Sequence, residues 1–75
     1  MSMEFMLVVF KDDRDVLADG NPVGITNHTI RLPTNEYDIT LAGTGYTPAT
    51  QDVVLAGTSA MNPKRVVFEP AVTGA

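Results

Sequence analysis

Residues 36–48 read EYDITLAGTGYTP, and how this stretch is read decides the fold. Tyr37, Ile39 and Leu41 alternate with Asp38, Thr40 and Ala42. That two-residue period fits a β-strand with one face on a core and one in water. A helix would need a sustained run of apolar residues three and four apart, whereas here they fall at every second position. Gly43, Gly45 and Pro48 then end the strand, and Tyr46 sits in the corner they make.

The same period extends in both directions. EFMLVVFK (4–11) is a strand by composition with two apolar faces: Phe5, Leu7 and Val9 on one, Met6, Val8 and Phe10 on the other. DVLAD (15–19) is a short strand closed by Asp19-Gly20, a strong hairpin signal. HTIRL (28–32) sets Ile30 and Leu32 against Thr29 and Arg31. TQDVVLA (50–56) and KRVVFE (64–69) follow, and a small tail, 71–75, is expected to fray. Six to seven short strands with regular turns and no helix predict an all-β protein. The expected architecture is a small antiparallel β-sandwich of Greek-key type forming one domain over 1–75.

Composition bounds the function. Seventy-five residues lie near the lower limit for a self-sufficient core, so the core is efficient or a neighbour completes it. Nine acidic residues against five basic ones give a net charge of −4. That balance argues against non-specific binding to nucleic acid or to anionic membrane. No apolar run reaches membrane-spanning length, and FMLVVF is too short and has no basic leader to serve as a signal peptide. The reading is therefore a soluble chain with no export signal and no assigned compartment. The absence of cysteine removes disulfides and thiolate metal sites, and His28 is the sole histidine.

Three motifs bear on chemistry. Asp12, Asp13, Asp15 and Asp19 suggest a calcium loop, but Leu17 interrupts the alternation and Gly24 stands where the closing Glu belongs. These acids read as a solvated turn. The glycines of DGNPVGIT (19–26) and GTGY (43–46) precede no helix and no Walker lysine, so Gly20, Gly24 and Gly45 read as turn glycines. Asn35 reads as a further turn residue suited to left-handed backbone. His28 has no evident nucleophile and base beside it, so neither an enzyme nor a cofactor is expected.

The sequence LADGNPVGIT…IRLPTNEYDITLAGTGYTP…DVVL resembles the PEGA family of small β-sandwich modules. Asp19-Gly20 correspond to the family's first turn, and Gly24 and Thr26 to its Gly-x-Thr element. Tyr37, Ile39 and Leu41 correspond to the Tyr-led strand, Gly45-Tyr46 and Pro48 to the corner, and Val53 and Leu55 to the following strand. The resemblance covers about residues 16–56. Asn27 and Thr34-Asn35 depart from the family's prolines and glycine, and KDDRDVLADG stands where its name-giving stretch would be. The resemblance implies a transthyretin-like, carboxypeptidase-regulatory-like (prealbumin-like) sandwich acting as a non-catalytic accessory module.

Function is then expected on surfaces. The leading expectation is contact with a protein partner or with a second copy, through Met6, Val8 and Phe10 on the two-faced first strand and through Tyr46. The alternative is a glycan, stacked on Tyr46 and bonded by Asn21, Asn27 and Asn35.

Overall fold

The computed structural model describes residues 2–71, which form nine strands. They are β1 (Met3–Val9), β2 (Asp15–Ala18), β3 (Asn21–Ile25), β4 (Thr29–Pro33) and β5 (Asn35–Leu41), then β6 (Tyr46–Thr47), β7 (Gln51–Leu55), β8 (Lys64–Val67) and β9 (Glu69–Pro70). Three form a sheet in the order β4-β1-β8, and four form a second in the order β3-β2-β5-β7; β6 and β9 pair as a short ribbon. The two larger sheets close on one core, contributed by Met6, Val8, Ile30 and Val66 from the first and Val16, Ile39, Leu41, Val53 and Leu55 from the second. The fold is an all-β sandwich.

One pairing departs from the antiparallel expectation. β8 runs parallel to β1, with Val8 opposite Val66 and Val9 opposite Val67. Parallel neighbours need a long crossover, and the whole chain between β1 and β8 supplies it. Gln51 Nε2 donates to the Val67 carbonyl at 2.7 Å, which holds β8 to the second sheet.

The Asp19-Gly20 hairpin forms as expected. Ala18 pairs with Asn21, and both turn residues have positive φ, 52° and 85°. Two consecutive left-handed residues define a type I′ turn, whose twist matches that of the strands it joins. The rest of that stretch is not a turn. Asn21–Ile25 is strand β3, at the edge of its sheet, where the missing Pro22 N–H costs no interior ladder bond. Gly24 therefore has no turn role, and its φ is not positive. It is needed for its size, because a Cβ there would lie 2.6 Å from Ile30 Cγ1.

Asn35 is corrected in the same way. It opens β5 without a positive φ, and its Oδ1 accepts a bond from the Glu36 N–H at 2.8 Å. The left-handed asparagine is Asn27, at φ 65°. Gly45, at φ 87°, is the turn glycine the sequence suggests. Ala71 N donates to the Gly45 carbonyl, whereas residues 72–75 of the expected frayed tail lie outside the described residues.

Candidate functional site

Strand β1 is the centre of its sheet, and its two faces part company there. Met6 lies opposite Ile30 and Lys64, and Val8 opposite Val66, which points these side chains at the second sheet. Met6 and Val8 are fully buried and Phe10 nearly so. They are core, which corrects their assignment as partner-binding residues: the second sheet faces Met6 and Val8, and Phe10 packs against the Tyr46 ring and the Arg14 guanidinium. The face left toward solvent carries Met3, Phe5, Leu7 and Val9.

Glu4 shares the inward phase with Met6 and is buried. Its Oε1 accepts from the Thr58 N–H at 2.9 Å and from the Thr58 hydroxyl, and its Oε2 accepts from the Thr34 hydroxyl. The Thr34 hydroxyl above all, then Thr58, holds the Glu4 carboxyl below the usual carboxylate range. Phe5 N in turn donates to Thr58 Oγ1 at 2.7 Å. The group is a satisfied polar clamp, joining β1 to the β4–β5 turn and to the β7–β8 connection.

Tyr46 also turns out to be a packing residue. Its ring meets Phe10 and Phe68 edge-on, at 6.5 and 5.4 Å between centroids, and its hydroxyl donates to the Leu41 carbonyl at 3.0 Å. These contacts and the hydroxyl bond tie the ring to the edge of the core.

The acids of residues 12–19 point to separate tasks. Asp12 lies 3.9 Å from Arg14 Nε, and Asp13 accepts from Asn27 Nδ2 and stands 3.7 Å from His28 Nε2. Asp19 Oδ1 caps the Asp38 N–H at 2.8 Å. Among the described residues no group of three acidic or histidine side chains could hold a metal ion. No helix there is long and apolar enough to cross a membrane.

Thr26 is the residue that sequence reasoning undervalued. Fully buried, its hydroxyl donates to the Asp12 carbonyl and accepts from Arg14 N, at 2.7 and 2.8 Å. One hydroxyl thus closes the β1–β2 connection in both directions. The signal available was its place in the Gly-x-Thr element.

Three exposed places stand out on the sheets. An open groove of about 430 Å³ separates edge strands β3 and β4, with Val23, Ile25 and Ile30 along it and His28 and Arg31 at its rim. The outer face of the three-stranded sheet is an apolar stripe, with Val67 47 % and Met3 40 % exposed. Arg31 is aligned with Phe5 and Arg65 with Leu7, one on each side of the stripe, and the Arg31 guanidinium lies 5.5 Å from the Phe5 ring centre.

The outer face of the four-stranded sheet is acidic. Asp38 lies directly opposite Asp52, Glu36 is two residues along, and Asp19 adjoins Asp38 through the turn. Like charges facing each other across a ladder are destabilising. The Asp52 charge foremost, with Asp38 and Asp19 behind it, pushes the Glu36 carboxyl above its usual range. Neither of the ion pairs among the described residues involves these groups.

The family model of the PEGA domain matches residues 11–66, which takes in every strand from β2 to β7 and most of β8 and begins after β1. No curated protein and no solved structure matches the chain.

Proposed function

Because the chain belongs to the PEGA domain family, a family of small accessory modules, we propose that it is non-catalytic and works by contact with another protein. The observation that carries this reading is the outer face of the three-stranded sheet. Met3, Phe5, Leu7 and Val9 line its central strand beside Val67, and among the described residues no strand pairs into a layer over them. A contiguous apolar stripe between two arginines has the make-up of an interface, with aromatic and aliphatic anchors at the centre and charge at the rim. The polar residues that the fold buries, Glu4 and Thr26, are both spent on internal bonds, so they are not poised for chemistry.

The test is site-specific photo-crosslinking in the host cell. A photoreactive side chain at Val67 or Leu7 is expected to give a discrete protein adduct, while one at Thr44, exposed in the loop before β6, gives none. Absence of any protein adduct from Val67 and Leu7 would refute the contact reading.

A further inference from the structure

The two outward sheet faces carry opposite charge. On the three-stranded sheet, the outward register positions hold Arg31 and Arg65 and no carboxylate. On the four-stranded sheet they hold Asp15, Glu36, Asp38 and Asp52 and no cation, with Asp19 at the hairpin. Arg31 and Arg65 lie on the strands either side of β1, level with Phe5 and Leu7, and Asp19 and Asp52 lie either side of Asp38. Both faces also hold apolar side chains: the β1 stripe on one, Leu17 and Val54, the latter 61 % exposed, on the other.

We infer that the occupant of the apolar, arginine-flanked face is the acidic face of a second copy of this chain, so that copies stack three-stranded sheet on four-stranded sheet. The inference rests on the reading of that face as a protein contact. Symmetry selects between the arrangements. Pairing either face with itself sets arginines against arginines or carboxylates against carboxylates, whereas unlike faces bring opposite charges together. The head-to-tail contact also gives the Asp38–Asp52 pair the counter-charge that its own module withholds. A face three strands wide is small by the standard of stable complexes, so the contact is weak and appears at high concentration.

Sedimentation velocity of the chain, from about ten micromolar to about a millimolar, tests this. Its weight-average mass is expected to rise with concentration. Arg31→Glu/Arg65→Glu should weaken association by about tenfold, as should Asp38→Lys/Asp52→Lys. The second variant brings the formal net charge from −4 to zero, which by itself favours self-association, so a loss there reports the specific contact. An equimolar mixture of the two variants restores association, because every contact between unlike variants is again complementary. Circular dichroism and thermal melts confirm that each exposed-site variant is folded.

A parent that stays monomeric to a millimolar overturns the inference, as does either variant associating like the parent or a mixture that stays dissociated. The crosslinking experiment separates this from the broader reading. An adduct at Val67 with a different protein, alongside a monomeric parent, refutes stacking and keeps the contact function.

Discussion

Gly24 offers a sharp test of the packing between the two sheets. It lies on β3, at one edge of the four-stranded sheet, and faces Ile30 on β4, at the edge of the other. An alanine Cβ would sit 2.6 Å from Ile30 Cγ1 and 2.9 Å from Cδ1. Relief demands a shift of Ile30 itself, since Cγ1 is bonded to its branch carbon and a β-branched side chain has little χ1 freedom. Ile30 is buried opposite Met6, so it has little room to move. Overpacking of this kind costs about 1–3 kcal/mol, or a fall in Tm of about 5–20 °C for a domain of this size.

A double-mutant cycle identifies the cause. Ile30→Ala alone should cost about 2–5 kcal/mol as a core truncation. It also removes every atom that the new methyl strikes, so the double variant should be more stable than the sum of the singles by about 1–2 kcal/mol. Urea denaturation of the four proteins gives the coupling directly. Were Gly24 instead held by its backbone conformation, removing Ile30 would not relieve the strain and the cycle would be additive. An additive cycle, or a neutral Gly24→Ala, refutes the packing account.

Gly20 is the converse case: a Cβ there meets nothing within 4 Å, but φ is 85°. Gly20→Val should cost about 1–3 kcal/mol by thermal melt and Gly20→Asn less than half as much, and equal losses would refute a purely conformational role. The two shifted carboxylates predict stability that peaks on the acid side of neutral. Ionised Glu36 costs stability above its raised pKa, and the cost is relieved as pH falls through that pKa; Glu4, held low, contributes fully above 4.5 and loses that contribution as pH falls through its depressed pKa. Tm should therefore rise as pH falls from neutral toward 4.5 and fall below it, with Glu36→Gln flattening the first slope; an unchanged slope in that variant would sink the assignment.

Much of this architecture can be read from alternation and turn chemistry. Tyr37, Ile39 and Leu41 face inward as their period demands, and Asp19-Gly20 reverses the chain as a type I′ turn. The failures have physical causes. Asn21, Pro22 and Gly24 are turn residues by composition, but an edge strand tolerates proline, and a tight approach to Ile30 requires glycine. Strand β1 is apolar on both faces, so its period cannot choose a side. Its one charge misleads as well: Glu4 would ordinarily mark the solvent face, yet it lies inward. It does so because Thr34 and Thr58, 30 and 54 residues away in sequence, supply the bonds that make its burial tolerable. Long-range satisfaction of this kind leaves no local signature.

The residues that carry the family likeness have structural roles. Asp19, Gly20 and Gly45 set turns, Gly24 makes room for Ile30, Thr26 closes a connection, and Tyr37 and Tyr46 bond the Pro33 and Leu41 carbonyls from the rim of the core. The proposed contact function rests instead on positions that the fold leaves free, the outward phases of the two sheets. Their composition is not what stability alone would choose. Asp38 opposite Asp52 weakens the ladder that contains it, and an arginine in either place would strengthen it. The arginines stand instead on the opposite face, around an apolar stripe that water solvates poorly. Each face is unfavourable in the isolated module, and the proposed stacking would relieve both at once.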